Sequence, residues 1–303
     1  MHRVIASSPA KVNLALAVTG LEPSGYHQLD TIFEALDIYD DVEVTSADDL
    51  TLEVTGVDAD KMPDDPEANL VLKAARLLAE ATGTTAGAHI SVTKRIPAAG
   101  GMAGGSTDAA ATLVALNMLW ETGLSAEQLV ELGAKLGADV PFCLMGGLAR
   151  GVGRGDVLNP LRPGTMHAWV LLTNPEGLST PAAFAEFDRA LNLTEGFERN
   201  SVSDVDDLAE ALQGEDIDAI GALLTNDLEA ALPGLRPDVA RTILGIRGKV
   251  PGVILSGSGP TIAVLTSMDD HGTVASGMRK DFPELGVLTA YGPARGAHIR
   301  TAE

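Results

Sequence analysis

Pro97-Ala-Ala-Gly-Gly-Met-Ala-Gly-Gly-Ser-Thr-Asp108 places four glycines, Gly100, Gly101, Gly104 and Gly105, within six residues. Upstream, Ile90, Val92 and Ile96 fall at even spacing in His89 to Ile96, the alternation of a half-buried strand. Downstream, Ala109, Leu113, Leu116 and Trp120 recur at helical spacing, with Ser106, Thr107 or Asp108 available to cap the first turn. The stretch reads as strand, glycine loop and helix. Glycines let the backbone turn through φ > 0 and come close to a ligand, and the first turn of a helix offers unpaired N–H groups and a positive dipole end, so such a loop suits phosphate. A packing turn would also use glycines. The polar exit Ser106-Thr107-Asp108, with oxygens that can face a metal or a phosphate, favours the anion site. No Lys follows the last glycine as in a Walker loop, and the G-x-G-x-x-G spacing of a dinucleotide fingerprint is absent.

Outward from this stretch, composition narrows the choices. A chain of 303 residues with 45% hydrophobic content can build two modest domains or one large one. No apolar run reaches the length of a membrane span, and Met1 to Ser8 lacks the apolar core of a signal peptide, so a cytoplasmic protein is expected. One cysteine, Cys143, excludes an intrachain disulfide, and six scattered His residues show no ligand spacing. A net charge of -21 argues against nucleic acid and anionic membranes as partners. It does not exclude a polyanionic ligand, because backbone dipoles, Mg²⁺ and nearby cations such as Lys11 and Lys94 act at contact, whereas surface carboxylates are screened over roughly 8 Å.

Before the loop, Val12, Leu14, Leu16 and Val18 alternate with Lys11 and Asn13, which share the other face of a strand. That face reads equally as a solvated edge or as part of a site. Gly20 to Gly25 is a turn, and the loop leaving it carries Tyr26 and His27, rings that either pack or stack on a base. Ile38 to Val44 and Leu50 to Val54 read as strands; Asp64 to Glu67 opens a helix whose apolar face is Leu70, Ala74, Leu77 and Ala81, with Asn69 as a capping residue.

After it, Ser125-Ala-Glu-Gln128 is a capping box for a helix ending at Gly137, and Asp139 follows before a proline-containing apolar segment. Gly146 to Gly155 reads as loop, with a domain boundary near Pro160 to Pro163. Ala168 to Leu172 is a buried strand, Ser179-Thr-Pro starts a helix carrying Phe184, and helices are predicted over Asp206 to Leu212, Ala219 to Leu232, Pro237 to Gly245 and His271 to Lys280. Gly252 to Leu265 reads as strand, tight loop, strand, and Gly286 to Ala290 as a last strand, giving an α+β sandwich.

Three ordered blocks, Pro9-Ala-Lys-Val-Asn-Leu14, the glycine loop and Leu255-Ser-Gly-Ser-Gly-Pro-Thr261, resemble those of the GHMP kinase superfamily. Gly25-Tyr-His27, Gly137-Ala-Asp-Val-Pro141 and Thr180-Pro-Ala-Ala-Phe184 resemble the branch that phosphorylates a cytidine-diphosphate-linked polyol. The resemblance implies a two-domain α+β fold: an N-terminal, ribosomal protein S5 domain 2-like ATP-binding domain over 1–162 and a ferredoxin-like domain over 163–303 that helps bind substrate. It implies ATP and Mg²⁺ as cofactors and Lys11 and Asp139 as catalytic residues. ATP would be held by Pro97, Ala98, Ala99, Gly100, Gly101, Met102, Ala103, Gly104, Gly105, Ser106 and Thr107 with Asn69 and Lys94, and Mg²⁺ by Ser106. The small-molecule substrate would meet Asn13, Tyr26, His27, Asp139, Thr180, Phe184, Gly257 and Ser258. A monomer or weak homodimer is expected, without nucleic-acid or membrane partners. Homoserine, mevalonate or sugar kinases, and a nucleotide sensor without catalysis, are the alternatives. The loop departs from the usual pattern with Met102-Ala103 in place of Leu-Gly and Thr107 in place of Ser, and an Ala at 103 is expected to hold a negative φ.

Overall fold

The alternation from Val12 to Val18 belongs to one long strand, β1 (Arg3–Leu21), which pairs antiparallel with β2 (His27–Ala47) from Arg3 opposite Thr45 to Leu21 opposite His27. The register slips between Asn13 and Ala15, so a bulge lies beside the residues of interest, as is frequent near sites. His27 is thus the first residue of a strand and not part of the turn. The computed structural model describes residues 2–23, 25–62, 65, 68–192 and 203–303. Onward from β2 the chain forms β3 (Leu50–Gly56), α1 (Leu70–Thr82), β4 (Gly87–Lys94), α2 (Gly104–Leu119), α3 (Ala126–Leu136), α4 (Val140–Met145), β5 (Leu148–Gly153) and β6 (Val157–Leu161). There follow β7 (His167–Thr173), α5 (Thr180–Leu191), α6 (Ser203–Ala211), α7 (Ile217–Ala222), β8 (Thr225–Asn226), α8 (Leu232–Leu235) and α9 (Pro237–Ile246). The last elements are β9 (Gly252–Leu255), β10 (Ile262–Thr266), α10 (His271–Asp281), β11 (Gly286–Gly292) and β12 (His298–Ala302).

The strands make two sheets. The larger has the order β12-β1-β2-β4-β3, with β5 and β6 extending from β2 and the two-residue β8 beside β1. The smaller has the order β11-β7-β10-β9, all antiparallel. Taken as first, second, third and fourth strands of the second half, that is 4-1-3-2 with helices on the crossovers, the ferredoxin-like arrangement. The step from β6 to β7 passes through 162–163, yet β8 and β12 return from the second half to the first sheet. The tail thereby acquires a role no local pattern announced: Val4 pairs with Ala302.

Apolar faces explain the layering. Helices α1 to α3 bury Val71, Ala74, Leu78, Leu113, Leu116 and Leu129 against Val42, Val44, Ile90 and Val92 of the large sheet. Between the halves, Val12, Leu14, Leu36 and Met102 pack on Trp169, Leu171, Ile254 and Leu265. The buried stripe of α1 is Val71, Ala74, Ala75 and Leu78, one register from the predicted face, because Asn69 starts the helix as its N-cap. Part of Asp64 to Glu67 lies outside the described residues, and the rest precedes the helix. Gly146 to Gly155 is not a plain loop: it supplies β5 and the turn into β6, which uses Gly153 and Gly155 at φ 72° and 89°. Nor is Ala219 to Leu232 one helix; Asn226 caps a separate short turn by accepting from the Leu228 amide, a helix start inside an apolar pattern. Among the described residues, no helix is long and apolar enough to cross a membrane.

Candidate active site

The glycine loop leaves β4 and enters α2, and tertiary contacts fix it. Four successive carbonyls are engaged from outside: Leu178 N–H donates to Ala99 O (3.3 Å), Thr261 N–H to Gly100 O (3.3 Å), Ser256 Oγ to Gly101 O (3.1 Å) and Lys11 N–H to Met102 O (3.3 Å). Among the described residues, the amides of 99–106 donate to no other group, which leaves a run of N–H donors beside the N-terminus of a 16-residue helix. Donors so arranged, with the helix dipole behind them, form an anion-binding concavity. Close approach explains two glycines. A Cβ on Gly101 would lie 2.0 Å from the Ser256 carbonyl oxygen, and one on Gly257 2.8 Å from Lys11 Nζ.

The loop forms one side of a cleft of about 990 Å³, at the upper end of the range for small-molecule sites. Ala99 to Gly101 and Ala103 to Ser106 contribute to its wall; Asp139, Lys11 and Asn13 share it, as do Tyr26, His27, Thr180, Phe184, Gly257 and Ser258. Lys11 and Asn13 are therefore not a solvated edge: they are 4% and 2% exposed, and Lys11 Nζ donates to Asn13 Oδ1 at 2.6 Å. Asn13 Nδ2 donates in turn to Thr31 Oγ1 (2.8 Å). Lys11 and Asp139 line one cavity, but among the described residues they form no ion pair, the ammonium being turned toward Asn13. Asp139 precedes α4 and makes no capping hydrogen bond, so its carboxylate is not spent on the helix start.

The rings meet at the other end. His27 and Phe184 stack with centroids 4.6 Å apart, His27 Nε2 lies 2.7 Å from Asp188 Oδ1, and Tyr26 projects nearby, 58% exposed. Thr180 and Ser258 share a hydroxyl–hydroxyl hydrogen bond of 2.8 Å, joining the ring-bearing helix to the late glycine loop.

A helix-mouth donor loop, an uncommitted carboxylate, a buried lysine and a cluster of rings on one cleft are the parts that bring two ligands together. The GHMP kinases N terminal domain family matches residues 69–147. The 4-diphosphocytidyl-2-C-methyl-D-erythritol kinase of Nocardia farcinica is 44% identical over 298 residues, 98% of this chain and 96% of that one. The chain belongs to the 4-diphosphocytidyl-2-C-methyl-D-erythritol kinase family. A second member, from Kineococcus radiotolerans, is 48% identical over 267 residues, 86% of this chain and 81% of the other. A crystal structure of 4-(cytidine 5'-diphospho)-2C-methyl-D-erythritol kinase superimposes with a TM-score of 0.74 at 30% identity, covering 95% of this chain and 98% of that one. The GHMP kinase architecture read from the three sequence blocks is thereby shown.

Several residues that the family resemblance put on ATP are not on the cleft wall. Lys94 is buried behind the loop, where Nζ donates to Asp40 Oδ2 (2.5 Å), Asp108 Oδ2 (2.6 Å) and the Gly104 carbonyl (3.2 Å). Asp40 Oδ1 also accepts from the Arg95 and Ile96 amides, so this buried group fastens both ends of the loop. Burial pulls the Lys94 ammonium down, but Asp108 and Asp40 outweigh it and its pKa is raised. Burial, with the charge of Asp40 adding to it, holds Asp108 well above the usual carboxylate range despite Lys94. Asp108 and Thr107 accordingly do not line the cleft; the Thr107 hydroxyl donates to the Pro9 carbonyl, and of the polar exit Ser106 reaches the cleft wall. Nor do they cap α2, which begins at Gly104 after Ala103. Ala103 holds φ 63°, contrary to the expected negative angle, and Ala99 φ 51°; the four engaged carbonyls impose these angles on residues that would not choose them. Met102 points into the core, Asn69 caps α1, and Pro97 and Ala98 lie outside the cleft wall.

Two residues of the site escaped sequence reasoning. Asn226 Nδ2 donates to the Leu255 and Gly257 carbonyls (both 2.8 Å) and holds the late glycine loop in place. Its signal was the polar Thr225-Asn-Asp227 inside an apolar helical pattern. Arg154, on the β5–β6 turn, also lines the cleft, and nothing in the local sequence tied it to Tyr26.

Proposed function

We propose that this chain transfers the γ-phosphoryl group of ATP to the 2-hydroxyl of 4-diphosphocytidyl-2-C-methyl-D-erythritol, a step of the non-mevalonate route to isoprenoid precursors. The observation that carries the reading is the run of free amides over 99–106, opening on the cleft that also holds Asp139 and the Tyr26, His27 and Phe184 rings.

Phosphoryl transfer asks a protein for placement and charge neutralisation more than for covalent chemistry. The amides of Gly100 to Ser106 bind the β- and γ-phosphate oxygens. Asp139 accepts the proton of the attacking hydroxyl as its oxygen bonds to the γ-phosphorus and the bond to the ADP oxygen breaks. Lys11, oriented by Asn13, supplies positive charge where negative charge gathers on the transferred group. Because it is not ion-paired with Asp139, its part is electrostatic and directed at the phosphoryl group, and Asp139 acts through position. Tyr26 and Phe184 take the cytosine between them, with His27 at its edge, and Thr180 and Ser258 fix the late loop against it.

Mg²⁺ suits these residues: Ser106 and Asp139 line the same cleft, and their oxygens would be the few protein ligands that the ion takes when phosphates and water supply the rest. When bound, it would supply positive charge to the phosphates.

ADP release tests the reading, measured with the cytidylylated methylerythritol against homoserine, mevalonate and a hexose. Turnover confined to the cytidylyl substrate, with Asp139→Asn lowering kcat by roughly 10²-fold or more, is expected. Turnover of another alcohol in preference, or a near-normal Asp139→Asn enzyme, contradicts it.

A further inference from the structure

The residue roles proposed above leave one demand of the substrate unanswered. A cytidine-diphosphate ligand brings its own negative charges into a chain whose net charge is -21, and they lie one ribose beyond the base. Among the described residues, the cations on the cleft wall are Lys11, Lys135 and Arg154. Lys11 Nζ is turned to Asn13 Oδ1 against Gly257, beside the glycine loop. Lys135 stands in the last turn of α3, just before Gly137, the residue opposite Ser106. Arg154 alone stands at the rings: its guanidinium carbon is 5.8 Å from the centroid of Tyr26.

Three further observations show how Arg154 is held. It occupies the tight β5–β6 turn between Gly153 and Gly155, both at positive φ, so the backbone fixes where its side chain starts. Asp156 Oδ1 accepts from the Arg154 amide (3.3 Å), and Asp156 Oδ2 accepts from Nη2 at 2.6 Å. The side chain is 45% exposed and carries a planar fork of five donors, of which the Asp156 contact engages one. A guanidinium that rests on a base-stacking ring and is steadied from behind loses less freedom when an anion arrives, and its fork matches phosphate oxygens.

We infer that Arg154, stacked on Tyr26 and steadied by Asp156, binds the diphosphate of the cytidine nucleotide. The same pair therefore reads both parts of the ligand, Tyr26 the base and Arg154 the phosphates adjoining it. This rests on the cytidine reading of the cleft, and the test separates the two.

The experiment is calorimetric titration of the intact wild-type chain, Arg154→Gln and Arg154→Lys with cytidine, CMP, CDP and ADP. Wild type should bind CDP more tightly than cytidine. Arg154→Gln should weaken CDP by about tenfold, the scale of a charge-assisted hydrogen bond at a half-exposed site, while leaving cytidine and ADP within twofold. Arg154→Lys should fall between, keeping the charge and losing the fork. Equal losses for cytidine and CDP would make Arg154 a support for the Tyr26 ring only and overturn the inference. A loss confined to ADP would assign Arg154 to the other nucleotide, and CDP affinity unchanged in Arg154→Gln would remove it from the site; both overturn it. Failure of wild type to bind any cytidine compound would instead refute the cytidine reading, and this inference with it.

Discussion

Replacing Lys94 by Met removes an ammonium but keeps the length of the side chain, and so separates two roles that the sequence left together. In the structure Lys94 Nζ donates to Asp40, Asp108 and the Gly104 carbonyl, and its side chain is 1% exposed. Lys94→Met leaves two buried carboxylates without their shared cation. Breaking a buried ionic group by removing one partner costs about 3–5 kcal/mol. At roughly 2–4 °C per kcal/mol for a chain of this size, the midpoint of thermal unfolding should fall by on the order of 10 °C. Asp108 Oδ1 already lacks a partner, so Asp108→Asn in the Lys94→Met background removes a buried carboxyl group that has lost its cation and should recover part of the loss. The assay is urea unfolding of wild type, the two single variants and the double variant, with KM for ATP measured on each. A non-additive pattern, in which the double variant is more stable than Lys94→Met, supports the buried clamp. Unchanged stability in Lys94→Met with a tenfold rise in KM for ATP would refute it and return Lys94 to the nucleotide.

Gly101→Ala forces a Cβ to within 2.0 Å of the Ser256 carbonyl at φ 81°, so it should cost more than the roughly 1–2 kcal/mol of left-handed backbone strain and raise KM for ATP; Gly147→Ala, at φ 71° with open space around it, should cost that strain alone, as denaturant unfolding of both will show. The folded state holds a proton on Asp108 that the unfolded chain releases near pH ~3.9, so stability falls as pH rises from there toward the raised folded value; Asp108→Asn should flatten that slope in a series of unfolding curves. Burial pushes the Cys143 thiol up to about 12, so a disulfide reagent at pH 8 should label it only on unfolding, and labelling at the rate of a free thiol in the native protein would contradict that placement. Asn226→Ala strands the Leu255 and Gly257 carbonyls and should lower both stability and affinity for the cytidyl substrate, checked by unfolding and by KM.

Periodicity made much of the fold legible. The strand read over Lys11 to Val18, the strand–loop–strand of Gly252 to Leu265 and the capping box at Ser125 are local signals, and the structure contains each element, with β1 buried on both faces there. What stayed hidden depends on partners distant in sequence. Ala103 adopts φ 63° because Lys11, Ser256 and Thr261 fix the carbonyls before it, a contest local preference loses. A lysine beside a phosphate loop reads as a ligand, yet Asp40, 54 residues away, turns Lys94 into the core. Arg154 and Tyr26, brought together by the β2–β5 pairing, carry no shared pattern at all. The alternation that put Lys11 and Asn13 on one strand face did not show that the Asn13 carboxamide takes the Lys11 ammonium.

The account turns on Asp139 and the free amides of the glycine loop serving one transfer across one cleft. A crystal structure with a non-hydrolysable ATP analogue and the cytidylylated methylerythritol tests this most directly. The γ-phosphate should rest on the amides of Gly100 to Ser106, with the accepting hydroxyl oxygen about 2.6–3.2 Å from the Asp139 carboxylate. A ternary complex in which the phosphates avoid that loop, or in which no substrate hydroxyl comes near Asp139, would contradict it.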